Sequence, residues 1–172
     1  MKTKTQELTL TGLLIALVAA ATMVITIPVP ATEGFIHGGD GVIFFVAVFF
    51  GKKKGALAAG IGSALADLLL GYTVWVVPTL IVKSIMGYLV GSIAEKGTQK
   101  HVAAVDVVAV SAGALWMASG YLVAGSFIKG SLQVALTGLP WDLVQGFGGV
   151  ALFIPVAAAI SRTRFFKQEM HS

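Results

Sequence analysis

The sequence predicts an all-α integral membrane protein: a single domain over residues 1–172, built as a bundle of six transmembrane helices with both termini in the cytoplasm. Hydrophobic residues make up 56% of the chain and charged residues only 12%, whereas a soluble domain has about 25% charged residues. Such a chain lacks the polar groups to cover a water-facing surface, and a lipid-facing surface needs none. Long apolar segments and an uneven distribution of basic residues favour the same class.

Six apolar segments, here called spans one to six, are candidates for crossing a bilayer, because a crossing helix needs about 20 mostly apolar residues. They cover residues 8–29, 39–50, 56–70, 73–94, 102–124 and 141–160. Pro28 and Pro30 end span one, since proline ends or kinks a helix. Span two is short, and the basic turn Gly-Lys-Lys-Lys-Gly separates it from span three. A longer connection, residues 125–140, precedes span six.

Basic residues predict the orientation of the bundle. With six crossings and a cytoplasmic N-terminus, ten of the twelve Lys and Arg residues fall in cytoplasmic segments: Lys2, Lys4, Lys52, Lys53, Lys54, Lys96, Lys100, Arg162, Arg164 and Lys167. An outer loop holds only Lys129, and Lys83 lies within span four. Cytoplasmic loops of membrane proteins carry an excess of Lys and Arg, so this asymmetry supports an even number of crossings.

Polar residues gather at the predicted outer ends of the spans: Glu33, His37, Asp40, Asp67, Tyr72, Trp75, Trp141, Asp142 and Gln145. An ordinary wet membrane interface would explain each of them singly. Asp67 and Lys83 are different, because a charge inside an apolar span costs about 2.5–3.5 kcal/mol unless it is paired or hydrated. Either Lys83 snorkels or pairs with Asp67 for structural reasons, or both face a cavity that binds a polar ligand.

Small residues at a spacing of four form stripes on three spans. Span one carries Gly12, Ala16 and Ala20; span three carries Ala58, Gly62 and Ala66; span four carries Gly87 and Gly91. Such stripes let helix backbones approach closely. Each stripe predicts either packing inside the bundle or a docking face for another membrane protein.

Enzyme motifs are absent from the sequence, which contains no HExxH, GxSxG or Walker A pattern and no Cys. His37 is predicted outside, and His101 and His171 inside, so the histidines do not share a metal. We therefore expect no catalysis, no cofactor and no ATP hydrolysis by this chain. Its basic residues are divided among short loops and form no stripe for nucleic acid.

Several motifs occur in a characteristic order along the chain. Gly39 and Asp40 open span two, and Asp67 ends the Ala/Gly-rich span three. A Tyr-x-x-Trp-x-x-Pro-Thr run begins at Tyr72 and leads to Lys83, and a Pro-Trp-Asp-x-x-Gln element opens span six at Pro140. This arrangement resembles the substrate-binding S components of energy-coupling factor (ECF) vitamin transporters, and most closely their riboflavin-type subgroup. The chain contains no Asn, so any family site that uses Asn is altered here.

The resemblance implies a high-affinity vitamin-binding subunit in a bacterial plasma membrane. Its partners would be a transmembrane coupling subunit, which docks on the Gly12, Ala16, Ala20 stripe, and two cytoplasmic ATPase subunits. A hydroxymethylpyrimidine or pyridoxine-like compound is the expected ligand, with riboflavin next. The predicted substrate-binding residues are Asp67, Trp75, Lys83 and Gln145, followed by Asp40, Tyr72, Trp141 and Asp142, with residues 28–39 as a lid. A stand-alone secondary transporter or channel, in which Asp67 and Lys83 relay ions, is the alternative.

Overall fold

The computed structural model describes residues 3–24, 26–29, 34–94 and 104–161. Its elements are α1 (Lys4–Val24), β1 (Thr26–Val29), β2 (Gly34–His37), α2 (Asp40–Leu69), a 3₁₀ turn (Thr73–Trp75), α3 (Val76–Ala94), α4 (Ala104–Lys129), α5 (Leu132–Leu136) and α6 (Leu139–Ser161). Helix α2 packs against α1, α3 and α6, and α4 packs against α3, α5 and α6. Helices thus dominate the described fold, as the sequence predicts.

Helix α2 reverses direction at Gly51. This residue has φ 83° and ψ 169°, a backbone conformation that glycine adopts at little cost. The arms on either side of it lie together, since a side chain built on Gly55 would meet the Cα atom of Ala47 at 2.8 Å. The predicted spans two and three therefore correspond to the two arms of α2, and the basic turn lies at the bend.

Within the described residues, four helical segments are long and apolar enough to cross a membrane: Lys4–Val24, Thr73–Ala94, Ala104–Lys129 and Leu132–Ile160. The arms of α2 are shorter. The first has about eleven residues and reaches only about 16 Å at 1.5 Å per residue, against a hydrocarbon core of about 30 Å. The described fold therefore contains four candidate membrane-spanning helices, and the total number of crossings depends on how deep the bent helix α2 lies.

A β-hairpin takes the place of the predicted end of span one. Helix α1 ends at Val24, and β1 pairs antiparallel with β2 so that Thr26 faces His37 and Val29 faces Gly34. The β-branched Thr26, Ile27 and Val29 suit a strand, and Pro28 cannot continue a helix. The expectation of a helix to residue 29 was therefore wrong, because an apolar strand and a helix end have similar composition.

The stretch from residue 104 to residue 161 is more helical than predicted. Helix α4 continues five residues past the predicted end of span five, to Lys129, and α5 occupies part of the predicted connection. Helix α6 begins at Leu139, because Pro140 fits the first turn of a helix, where its missing N–H is not needed.

Two of the three small-residue stripes pack inside the bundle. Gly62 of α2 lies against Ile15 and Val18 of α1, and Gly87 of α3 lies against Gly55. The third stripe differs. Gly12, Ala16 and Ala20 are exposed, and a side chain added at Gly12 would meet nothing within 4 Å. The buried face of α1 consists instead of Leu14, Val18 and Thr22. The first stripe thus leaves an open surface of small residues.

Candidate functional site

A buried ion pair lies at the centre of the bundle. The Lys83 ammonium of α3 donates to Asp40 Oδ1 at the start of α2, and both side chains are 0% exposed. Gln145 Nε2 of α6 donates to Asp40 Oδ2 at 2.9 Å, and Met117 Sδ lies 2.9 Å from Lys83 Nζ. Buried charges are tolerated when they are paired and further hydrogen-bonded. The pair therefore joins α2, α3 and α6.

The hairpin is tied to this ion pair through Gln145. The Gln145 Oε1 atom accepts the backbone N–H of His37 at 3.0 Å, and His37 Nδ1 accepts the backbone N–H of Gly39 at 3.1 Å. The ring of Phe35 packs against that of Tyr72, with centroids 4.6 Å apart. These contacts hold the second strand over the ends of α2 and α6.

Beneath the hairpin lies a cavity of about 60 Å³. Its described lining comes from the hairpin, the 3₁₀ turn, all helices from α2 to α6 and the residue before α6: Phe35, His37, Asp67, Trp75, Thr79, Tyr121, Gly125, Lys129, Ala135, Gly138, Asp142 and Gln145. Aromatic rings, carboxylates, an ammonium and an amide converge on one space. Concave sites with aromatic walls and a few placed polar groups are typical binding sites for small molecules.

A chain of hydrogen bonds forms one wall of the cavity. Tyr121 Oη lies 3.0 Å from Thr79 Oγ1 and donates to it, and the Thr79 hydroxyl is hydrogen-bonded to the Asp67 carboxylate. Trp75 meets Tyr121 edge to face, with ring centroids 6.0 Å apart. Lys83 Nζ lies 5.7 Å from the centroid of the same Tyr121 ring. The ion pair and the cavity wall therefore meet at Tyr121.

The predicted substrate-binding residues divide into two groups. Those that line the cavity are Asp67, Trp75, Asp142 and Gln145. They come from α2, the 3₁₀ turn and α6, so three separate parts of the sequence meet in one place. Their contact with a ligand stays a prediction.

The other predicted residues lie outside the lining. Lys83 and Asp40 pair with each other, so the partner of Lys83 is Asp40 and not the Asp67 suggested by the sequence. Tyr72 packs on Phe35, and Trp141 is 44% exposed. Glu33 falls outside the described residues.

Three polar lining residues were not part of the predicted site, namely Thr79, Tyr121 and Lys129, while Phe35 belongs to the predicted lid over residues 28–39. Tyr121 carries a hydroxyl in the middle of an otherwise apolar span, and Lys129 is the basic residue of the predicted outer loops. Both features of the sequence indicated a polar site. The predicted site nevertheless used the outer ends of spans two, three, four and six and not that of span five.

His37 is held neutral by its surroundings. Burial lowers its pKa from 6.5 to about 4, with Lys83 adding to the effect and Asp40 opposing it. Because the folded-state pKa lies below the unfolded value, the unfolded chain takes up the proton first. The stability that depends on a neutral His37 is fully present above about pH 6.5 and is lost progressively as the pH falls towards about 4.

Replacing His37 by Asn is expected to make the protein less sensitive to acid. Asn Oδ1 can accept the Gly39 N–H in place of Nδ1 but does not titrate. Between about pH 7 and about pH 5 the parent should lose about 1–2 kcal/mol more stability than His37→Asn. Unfolding of both proteins in mild detergent across this pH range measures the difference, and equal losses would contradict the assignment.

Comparison with known proteins places the chain in a family. It matches the ECF-type riboflavin transporter S component family over residues 2–162. It is 29% identical over 159 residues to the thiamine precursor transporter HmpT of Lactococcus lactis subsp. cremoris, with 92% of this chain and 89% of that protein covered. It is 35% identical over 135 residues to an uncharacterized protein of Pyrococcus woesei, with 78% and 88% covered. The family predicted from the motifs is thus confirmed: the chain belongs to the ECF-type riboflavin transporter S components.

Proposed function

We infer that the protein is the substrate-binding subunit of an ATP-driven ECF-type importer, with a hydroxymethylpyrimidine or a pyridoxine-like compound as its ligand. The observation that carries this inference is the polar cavity beneath the hairpin, in a chain that belongs to the S-component family. Aromatic side chains suit a flat ring, and the carboxylates, ammonium and amide suit its polar substituents.

The size of the cavity favours a ligand with one ring. A single water needs about 10–15 Å³ of such volume, so the 60 Å³ of the cavity corresponds to roughly four to six waters. A substituted pyrimidine or pyridine is of this order, whereas the three fused rings and ribityl chain of riboflavin are much larger. The name of the relative HmpT, a thiamine precursor transporter, points the same way, since hydroxymethylpyrimidine is a precursor of thiamine.

If the protein has this function, it needs partner subunits for transport. A transmembrane coupling subunit and two cytoplasmic ATPases would supply ATP hydrolysis, for which this sequence has no Walker A loop. The open surface of Gly12, Ala16 and Ala20 supports a coupling interface on α1, because close approach of two membrane helices needs small residues.

We further propose six crossings of the plasma membrane with both termini in the cytoplasm, the arms of α2 counting as two. A cysteine placed at Lys53 should then resist an impermeant thiol reagent in intact cells, and one placed at Lys129 should react. The parent has no Cys, so it provides a blank. The expectations for Glu33, external, and Arg164, cytoplasmic, concern positions outside the described residues. Labelling at position 53 would reject this topology.

Binding and uptake test the function separately. Native mass spectrometry and calorimetry on the purified protein should detect one bound hydroxymethylpyrimidine or pyridoxine-like molecule and much weaker binding of riboflavin. In proteoliposomes, uptake should require the coupling subunit, both ATPases and ATP. Uptake by this chain alone would favour a stand-alone secondary transporter. A protein that binds none of these compounds would reject the proposed ligand class.

A further inference from the structure

Helix α4 contains three glycines, and the packing of the bundle accounts for two of them. A side chain built on Gly113 would meet Val90 Cγ2 at 2.4 Å, and one built on Gly120 would meet Val82 Cγ1 at 2.9 Å. Both distances are shorter than the about 3.5–4.0 Å at which two carbon atoms touch. These glycines therefore let α3 and α4 approach closely, as small residues do between membrane helices.

The third glycine, Gly125, has no such reason in the packing. It is buried, but a Cβ atom built on it would meet only Ala135 Cβ and Trp75 Cη2 among the described residues, each at an ordinary contact distance of 3.6 Å. An alanine would therefore fit at this position. Glycine inside a helix is less stable than alanine, so the chain carries a less stable residue here without gaining a closer helix contact.

The space that this missing side chain leaves belongs to the cavity beneath the hairpin. Gly125, Trp75 and Ala135 all line that cavity. The recess beside Gly125 lies between the methyl carbon of Ala135 and the outer edge of the Trp75 ring, so its walls are carbon atoms. The carboxylates of the lining belong to other residues, Asp67 and Asp142. A recess with such walls suits an apolar group about the size of one methyl.

On the function proposed above, on which this step rests, we propose that Gly125 determines specificity by size, because the recess beside it receives a methyl group of the ligand ring. Hydroxymethylpyrimidine and pyridoxine both carry one methyl group on the ring, and their other substituents are polar. The methyl is therefore the group that matches the recess. A chain with alanine at position 125 would fill the recess with its own methyl and exclude that of the ligand.

Gly125→Ala is expected to stabilise the protein and to weaken ligand binding. In mild detergent without ligand, the unfolding temperature should rise by about 2–4 °C. Calorimetry with hydroxymethylpyrimidine should show binding about ten- to a hundredfold weaker than in the parent, because one methyl too many crowds the site. Gly148→Ala on α6 is the matched control, since Gly148 is exposed and an added side chain there meets nothing within 4 Å. It should give a similar rise in unfolding temperature and leave binding unchanged.

A second probe, the same pyrimidine without its ring methyl, tests the selection by size. The parent should bind the methylated compound about three- to fivefold more tightly, because it buries one more methyl group. Gly125→Ala should bind the demethylated compound within a few-fold of the parent, since the two methyl groups no longer compete for the recess. The preference between the two compounds should therefore reverse in the variant.

Three results would overturn the role of Gly125 and leave the proposed function standing. A Gly125→Ala protein that binds the methylated compound as tightly as the parent would show that the ligand does not use the recess. A Gly125→Ala protein that fails to fold, or is less stable than the parent, would show that the fold itself requires glycine. Equal weakening for both compounds would exclude selection of the methyl group. A parent that binds neither compound would instead reject the proposed function.

Discussion

Replacing Lys83 by Met is expected to destabilise the folded protein by about 3–5 kcal/mol, because the change leaves a buried charge without its partner. Asp40 and Lys83 are both 0% exposed, so water cannot take the place of the lost ammonium. Gln145 would remain as a donor to Asp40, and a single neutral donor compensates only part of a charge. Unfolding in mild detergent, followed by tryptophan fluorescence, measures the loss.

Two further variants give this experiment its controls. Lys54→Met removes the same side chain from the pair with Glu7, whose Nζ–Oε2 distance is 2.7 Å but whose side chains are 23% and 45% exposed. A pair so accessible to water should be worth about 0–1 kcal/mol. The double variant Asp40→Asn, Lys83→Met removes both charges, keeps an acceptor for Gln145 and should recover most of the loss. A Lys83→Met protein as stable as the parent would show that the pair contributes nothing.

The double variant also separates the two roles that the sequence left open for Lys83. As a direct ligand contact, Lys83 would be needed for binding even in a folded protein, and its loss would weaken binding by about ten- to a hundredfold. As half of a structural pair, Lys83 would not be needed for ligand binding once Asp40 is replaced by a neutral residue. Since neither residue lines the cavity, we expect the folded double variant to bind within a few-fold of the parent.

The helical framework was predictable because its determinants are local. Apolar segments of adequate length, ended by prolines and basic turns, predict helices whatever their neighbours are. The bend of α2 at Gly51 coincides with the Gly-Lys-Lys-Lys-Gly turn, where a positive φ favours glycine. Asp67 and Gln145 were likewise predictable as residues of the cavity, since polar side chains in or beside apolar spans need a partner.

The pairing of side chains was not predictable in the same way. Lys83 has Asp40 as its partner because α2 bends back and brings its first residue beside α3, a consequence of three-dimensional packing. The hairpin was missed because Thr26, Ile27 and Val29 are as apolar as a helix end. Tyr121 was missed because its role depends on the Thr79 hydroxyl, which belongs to a different helix.

Ala16→Trp, or equally Ala20→Trp, is expected to abolish uptake while leaving vitamin binding by the isolated subunit within a few-fold of the parent. Both alanines are exposed and belong to the open surface on α1 that begins at Gly12. A Trp side chain would hold a partner helix several ångströms away, where association depends on van der Waals contact between backbones. The cavity is lined by other elements, so the substitution should not disturb the ligand directly.

Ala151→Trp on α6 is the matched control, because it adds the same side chain at another exposed alanine and should allow both binding and uptake. Co-purification of the tagged coupling subunit with each variant adds a readout that does not depend on transport. The coupling subunit should co-purify with Ala151→Trp and not with Ala16→Trp. If Ala16→Trp lost ligand binding and uptake in parallel, the stripe would act within the fold of this chain. If it retained uptake, the coupling subunit would dock elsewhere. The docking assignment requires that Ala16→Trp keeps ligand binding but loses both co-purification and uptake. Only a contact between subunits would produce this result, because a contact within the bundle would affect ligand binding as well.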